Sequence, residues 1–274
     1  MTKADATSVG VYIDFDNVII SRGDQARREG VPAEVSLDAV LDFATKYGRV
    51  TISRAYADWS SEKNAVYRRQ LVDRAVDLTQ LFPAAGTKNG ADIRMSIDVI
   101  EDLYRHEDLT HVVIVAGDSD YVPLAQRIRR LGREVIGIGV AGSISRTLAS
   151  ACDEYRDYDE LLRDFAEDDA SVEASEPTEP IATASGSRPD APRLNAGRLL
   201  VRALRLLSEQ HEDREWHALG AVKTQILRME PGFQEKPYGF ASFSDLVKKY
   251  NGQIEVKDNK ARLRPAKAPV EPTV

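Results

Sequence analysis

The 274-residue chain contains a single cysteine, Cys152, and only four histidines. One thiol closes no disulfide framework and builds no cysteine cage for zinc, and it fits a reducing compartment. His106, His111, His211 and His217 share no ligand spacing and read as packing or surface residues. No serine–histidine–aspartate arrangement emerges. No apolar run approaches the ~18 residues that a membrane helix needs. Residues 1–10 include Lys3 and Asp5 and lack the apolar core of a secretion signal. These absences lead us to expect a cytoplasmic protein with no membrane partner. Aromatic residues are missing from residues 166–193, where Glu, Asp, Ser, Ala, Thr and Pro dominate. Such a stretch buries too little apolar surface to offset its ordering entropy, so it reads as a flexible acidic linker.

The remaining chain has ample apolar content, 42% of residues, for ordinary buried cores. Its net charge of -7 is unevenly spread. Residues 1–165 hold 21 basic and 27 acidic side chains, and residues 166–190 hold 1 and 7. Residues 191–267 reverse the balance, with 15 basic and 9 acidic. An acidic whole chain argues against nucleic acid as a partner, but this basic segment argues for it.

Two periodicities alternate through the first part. Val9–Asp14, Arg49–Ala57, Thr79–Phe82, His111–Ala116 and Glu134–Gly139 read as strands, the last being the final clear one. Ser36 to Tyr47, Ser61 to Leu78, Ala91 to Tyr104 and Tyr121 to Leu131 have helical spacing, with short helices at Ser143–Ala151 and Asp159–Phe165. Strand–helix alternation implies right-handed crossovers and a parallel sheet covered on both faces, a Rossmann-like three-layer sandwich over residues 8–165. Ligands of such α/β folds bind beyond the carboxyl ends of the strands, where strand order reverses. After the linker, at 166–192, residues 193–266 show three helical patterns. A hairpin across Lys257-Asp-Asn-Lys260 then completes a small winged-helix domain.

Acidic groups recur where strands end. Asp14-Phe-Asp-Asn17 follows the first strand, Gly117-Asp-Ser-Asp120 follows the strand at 111–116, and Asp92 stands at the mouth of a helix with Asp98 further in. If the strands bearing Asp14 and Asp118 are neighbours, their carboxylates converge. Crowded carboxylates repel and raise one another's pKa unless a cation intervenes. An oxygen-rich, histidine-poor set selects Mg²⁺ or Mn²⁺ over zinc. Such ions generate hydroxide and stabilise in-line displacement at phosphorus, so the chemistry expected is phosphodiester hydrolysis. Asp14, Asp92, Asp118 and Asp120 are the expected metal ligands and catalytic groups, with Asn17 and Ser119 bonding to carboxylate or phosphate. Asp98 is a more distant candidate ligand. Six residues turn a helix by roughly 240°, so Asp92 and Asp98 reach one site only if Asp92 lies outside the regular helix. The bland alternative for each is turn chemistry or a helix N-terminal acid. Asp16 should face away from Asp14, and Asp153, Asp157 and Asp159 read as a solvated edge.

Tyr12-Ile-Asp-Phe-Asp-Asn17, Lys88-Asn-Gly-Ala-Asp-Ile-Arg-Met-Ser-Ile-Asp98 and Val115-Ala-Gly-Asp-Ser-Asp-Tyr-Val-Pro-Leu124 together resemble the NYN family of PIN-like nucleases (LabA/DUF88-like). Arg133–Ile138 and Leu148–Tyr158 resemble that family's closing strand and helix. The resemblance implies a PIN-like fold, a divalent metal and RNA cleavage, with Asp14, Asp92, Asp118 and Asp120 as the acidic positions, Asn17 beside them and Asp98 less securely. Glu215–Gly220, Pro231-Gly-Phe233 and Tyr238–Val247 resemble the OST-HTH/LOTUS domain, a small winged helix associated with RNA. Arg198, Arg202 and Arg205 share a helix face, and Lys236, Tyr238, Lys248 and Lys249 are further candidates for phosphate or base contact. Trp216, Phe240 and Phe243 read as core.

The expected protein is an endoribonuclease that acts on single-stranded RNA held by its C-terminal module. A catalytically weak RNA-binding adaptor is the contrasting expectation. Asp14-Phe-Asp-Asn-Val18 also fits the opening of haloacid-dehalogenase-type phosphatases, with Asp14 as nucleophile and Asp16 as acid/base. Val122, however, stands where that class places a later acid. Gly137-Ile-Gly-Val-Ala-Gly142 matches a dinucleotide fingerprint but has no full βαβ unit after it, so its glycines read as tight-turn residues.

Overall fold

The computed structural model describes residues 7–82, 90–140, 146–173, 195–211 and 213–264. The chain divides into two units, Met1–Asp164 and Phe165–Val274. In chain order the first unit runs β1 (Ser8–Asp14), α1 (Phe15–Glu29), α2 (Leu37–Ala44), β2 (Arg49–Ala57), α3 (Glu62–Ala65), α4 (Arg68–Asp73) and β3 (Asp77–Gln80). It continues with α5 (Gly90–Arg105), β4 (Leu109–Val115), α6 (Val122–Arg130), β5 (Glu134–Gly139), α7 (Arg146–Ala151), β6 (Glu154–Asp157) and the start of α8 (Tyr158–Glu173).

All six strands pair in parallel, in the order β3-β2-β1-β4-β5-β6. The chain leaves β1 towards β3, then returns to lay β4 on the other side of β1. Strand order therefore reverses between β1 and β4, and the expected adjacency of the Asp14 and Asp118 strands holds. β-branched runs make these central strands: Val9, Val11 and Ile13 of β1 and Val112 to Val115 of β4 are fully buried. One face of the sheet packs Tyr12, Val112 and Ile114 against Met95, Val99 and Leu103 of α5 and Leu124, Ala125 and Ile128 of α6.

Several elements differ from expectation. The segment after Asp14 is a 15-residue helix, α1, which opens without a break from the strand and closes on Gly30 in the left-handed conformation. Residues 61–78 do not form one helix. They split into α3 and α4 around Tyr67, and Ala75 takes a positive φ of 54° to turn the chain into β3. β6 adds a sixth strand beyond β5, and the acids around it are engaged rather than solvated. Asp153 accepts from Val135 N–H, Asp157 caps the first turn of α8, and Asp159 accepts from Gln25 and pairs with Arg22. A Cβ on Gly137 or Gly139 would collide with the Tyr155 ring. These glycines therefore make room for β6, which removes the reason to read them as a nucleotide loop; Gly142 lies outside the described residues.

Helix α8 continues to Glu173, so the first residues of the expected linker are helical. Residues 174–192 of that linker lie outside the described residues. The second unit contains α9 (Ala196–Gln210), β7 (His217–Ala218), α10 (Leu219–Met229), α11 (Phe243–Lys249), β8 (Ile254–Lys257) and β9 (Lys260–Leu263). Strands β8 and β9 form the expected hairpin, with Asp258 and Asn259 both at positive φ, the backbone that a two-residue turn of matching twist requires. With β7 they form a three-stranded sheet in the order β7-β9-β8, and three helices plus this wing complete the winged-helix pattern.

Candidate carboxylate site at the sheet switch point

Asp14 is the last residue of β1 and also caps α1: one carboxylate oxygen accepts from Asn17 N–H at 3.1 Å. The strand alternation turns Asp14 to the same face as Tyr12, towards α5. The side chain is only 3% exposed. Its second oxygen accepts a 2.7 Å hydrogen bond from the hydroxyl of Tyr121, itself fully buried. Tyr121 also lies within hydrogen-bonding reach of Asp92, in the first turn of α5. One phenol thus stands between carboxylates from two elements, its single proton donated to Asp14.

Burial pushes Asp14 up to about 6, nearby Asp92 and Asp16 push the same way, and the bonds from Tyr121 and Asn17 oppose them. Asp92 is also raised, first by burial and then by the negative charges of Asp120 and Asp118, with Tyr121 again opposing. Burial and the two carboxylates drive the Tyr121 hydroxyl far above its ordinary value, so it remains a donor. Asp118 lies three residues past β4 and caps a single 3-10 turn, accepting from Asp120 N–H at 3.2 Å and from Ser119 Oγ at 3.4 Å. Ser119 and Asp120 are exposed. Asn17 fastens the two strand ends together: its side-chain oxygen accepts from Gly117 N–H at 3.0 Å.

The structure therefore brings Asp14, Asp92, Asp118 and Asp120 into one electrostatic neighbourhood, with Asn17 and Ser119 beside them. It does not pack them into a cage. Among the described residues, no three His, Cys, Asp or Glu side chains stand close enough together to hold a metal ion. Lys88 and Asn89 lie outside the described residues.

Asp98 departs from expectation. Helix α5 begins at Gly90, so Asp92 is inside the regular helix and Asp98 is turned away and displaced by about 9 Å along the axis. It accepts from Tyr56 Oη at 3.1 Å and from Arg94 Nε at 3.0 Å, with Arg54 at 3.9 Å. One turn on, Asp102 accepts from Tyr12 Oη at 2.9 Å and pairs with Arg54 at 2.9 Å. Asp98 and Asp102 thus anchor the helix to the sheet. Sequence reading missed Tyr12, Tyr56, Tyr121, Arg54 and Asp102, because each looks like an ordinary core or surface residue until its distant partner is known. Asp16 faces elsewhere, as expected. Its oxygens accept from Asn64 Nδ2 at 2.7 Å and Asp58 N–H at 3.0 Å, which fixes the loop after β2 and leaves no free acid/base for a phosphatase role.

In the second unit the arginine face of α9 is covered. The Arg202 guanidinium lies 3.3 Å from the centre of the Phe165 ring and is 3% exposed, and Arg205 pairs with Asp168 at 2.7 Å and Glu167 at 3.7 Å. Arg198 is half-buried on the same helix. The acidic end of α8, read from the sequence as linker, supplies these partners. Lys236, Lys248 and Lys249 are exposed, whereas Tyr238 stacks on Phe233 with ring centres 5.6 Å apart. Trp216, Phe240 and Phe243 are half-buried rather than core. His217 is buried against Ser208, and His111 pairs with Glu134.

Comparison with known proteins places these features in context. Residues 198–262 match the OST-HTH/LOTUS domain. Uncharacterized protein MJ0482 of Methanocaldococcus jannaschii is 22% identical over 120 residues, covering 43% of this chain and 46% of that protein. The chain thus spans about half the length of that curated relative. The crystal structure of a protein of unknown function, VPA0982 from Vibrio parahaemolyticus, aligns over 59% of this chain and 98% of its own, with 21% identity and a TM-score of 0.49. Residues 8–161, more than half of the chain and the whole of the sheet that carries the carboxylates, match the NYN domain, and the chain belongs to that family.

Proposed function

We propose that this protein is a metal-dependent endoribonuclease that hydrolyses phosphodiester bonds of single-stranded RNA, and that its C-terminal winged helix binds the same RNA. One observation carries the reading: carboxylates from β1, from α5 and from the loop after β4 share one electrostatic neighbourhood at the sheet switch point, with Tyr121 donating to Asp14 beside Asp92. The NYN and OST-HTH/LOTUS matches support a nuclease with an RNA-binding module.

The donor set is entirely oxygen, which suits Mg²⁺ or Mn²⁺. Its loose spacing suits an ion that keeps several waters and takes one or two carboxylates plus substrate phosphate. Asp14 and Asp92 would hold such an ion on the buried side, and Asp118 and Asp120 on the solvent side. When bound, the ion supplies a nucleophilic hydroxide and neutralises charge on the phosphate. Tyr121 and Asn17 fix the orientation of Asp14. Asp118 is held in its rotamer by the backbone of the following turn, and the exposed Asp120 either completes the ion's ligands or positions the attacking water. Ser119 offers a hydroxyl to a phosphate oxygen.

The test is cleavage of end-labelled single-stranded RNA with Mn²⁺ by wild type, Asp14→Asn and Asp118→Asn. Wild type should cut internally, and each variant should lose on the order of 10²-fold in rate. Wild type that binds RNA and never cuts it establishes the adaptor role instead. Variants that cut normally refute the site.

A further inference from the structure

The switch-point carboxylates are one wall of a larger feature. Helices α5 and α6 each start at the carboxyl rim of the sheet and pack on the same face of it, so they run side by side. Between their first turns lies a groove of about 520 Å³, within the usual range for ligand sites. Asp92, Ser119 and Asp120 line its rim end, and Ile93, Ile97 and Pro123 form an apolar shelf leading away from them. Ile93 and Ile97 are 60% and 58% exposed, so the fold gains little from either. One turn past Pro123 on α6, Arg127 donates to the hydroxyl of Tyr104, which is two turns past Ile97 on α5 and 63% exposed.

We propose that this groove seats an unpaired nucleobase of the substrate strand, next to the phosphate that is cut. The inference rests on the nuclease reading and adds to it a requirement for a splayed-out base. Enzymes that act on single strands grip extruded bases between apolar side chains and read their edges with nearby polar groups. Here the shelf covers the flat face of a base, while Ser96 offers a hydroxyl to its edge and Ser119 stays with the phosphate. Tyr104 and Arg127 lie in line to stack a second base. A duplex keeps its bases paired and cannot insert one, so the groove selects single strands. A protein partner fits less well. Two isoleucines and a proline fall far short of the ~800 Å² per side that a stable interface buries. A docked protein would also strip water from Asp92 and Asp120, whereas a nucleotide brings its phosphate to the carboxylates together with a neutralising cation.

Photo-crosslinking tests the placement directly. The full-length protein is irradiated with a short single-stranded RNA carrying 4-thiouridine, with calcium replacing manganese to keep the strand intact, and adducts are mapped by mass spectrometry. Adducts should fall on the peptides that contain Ile93–Ile97 or Pro123. The double variant Ile93→Ser/Ile97→Ser should lose them and, with manganese, raise KM for single-stranded RNA about fivefold to tenfold with kcat within twofold. Both residues are exposed, and the adduct map uses wild type, so a folding defect in the variant does not spare the idea. Adducts elsewhere in residues 8–161, or an unchanged KM, overturn the groove while normal cleavage leaves the nuclease standing. Groove adducts on a protein that never cleaves preserve the base site and overturn the nuclease reading. A wild-type dimer that the double variant abolishes, without groove adducts, identifies a second copy of the chain as the occupant and overturns the proposal.

Discussion

Replacing Asp14 with asparagine should make the metal-free protein more stable, although it removes a group at the centre of the candidate site. Asp14 is 3% exposed and its folded-state pKa is about 6 against an ordinary 3.8. A raised carboxyl pKa favours the folded state only while the group is protonated. Its contribution is fully present below pH 3.8 and lost as pH rises through about 6. The whole shift is worth about 3 kcal/mol, since each pKa unit is ~1.4 kcal/mol. At pH 7.5 without metal, wild type bears that cost and Asp14→Asn does not. An amide offers one acceptor oxygen where the carboxylate used two, for Tyr121 and Asn17, and the poorer pairing costs ~1 kcal/mol. The net gain is about 2 kcal/mol, or roughly 4–8 °C in the melting temperature of a unit this size. Calorimetry in EDTA at pH 7.5 and pH 4.5 isolates the effect, because other titrating groups cancel between the two proteins. The variant's advantage should shrink by about 2 kcal/mol at pH 4.5, where wild-type Asp14 is protonated. Added Mn²⁺ at pH 7.5 should then stabilise wild type more than the variant. A variant no more stable than wild type at pH 7.5 in EDTA would refute the argument that Asp14 is buried at an electrostatic cost.

Two substitutions separate scaffold from site. Asp98→Asn should lower stability by ~1–3 kcal/mol, because it leaves Arg94 without its charged partner and weakens the acceptor for the buried Tyr56 hydroxyl, while Arg54 keeps Asp102; cleavage at 25 °C should persist. Tyr121→Phe should cost ~1 kcal/mol in stability but reduce cleavage about tenfold or more, by releasing Asp14 and Asp92 from a fixed orientation. In the second unit, Lys248→Ala/Lys249→Ala should weaken RNA binding for all sequences alike and reduce the salt dependence of log K by one to two, read by fluorescence anisotropy across a salt series.

What could be read from the sequence depended on the range of the interactions. β1, β4 and β5 were legible because β-branched runs report burial locally, and a parallel sheet puts their carboxyl ends on one rim, but that β1 and β4 are neighbours comes from the strand order in the structure. α1 escaped notice because its inward face carries Arg22 and Gln25, polar residues that periodicity assigns to solvent. They are buried only because Asp159, more than 130 residues away, receives both. β6 reads Glu-Tyr-Arg-Asp, a half-buried edge strand without an apolar signal. The arginine stripe of α9 is legible as a stripe, but its cover is Phe165, just before the linker-like segment, with Glu167 and Asp168 inside a segment whose composition announces disorder. In each case the deciding contact joins positions that no local window spans.

The same logic explains why three aspartates on α5 differ in role. Asp92, Asp98 and Asp102 all meet a tyrosine hydroxyl supplied from elsewhere in the fold: Tyr121, Tyr56 and Tyr12. Asp98 and Asp102 also receive arginines, Arg94 and Arg54, so their charges are balanced within the protein. What chiefly acts on Asp92, as on Asp14, is burial, a neutral hydroxyl and further carboxylates. A carboxylate matched by arginine serves the fold. One held by a phenol among other acids is costly to the fold and retains its demand for positive charge, and such perturbed groups gather where chemistry is done. On this helix the boundary between scaffold and site is therefore set by which residues supply the counter-charge, and under the proposed nuclease function a divalent ion would supply it at the rim.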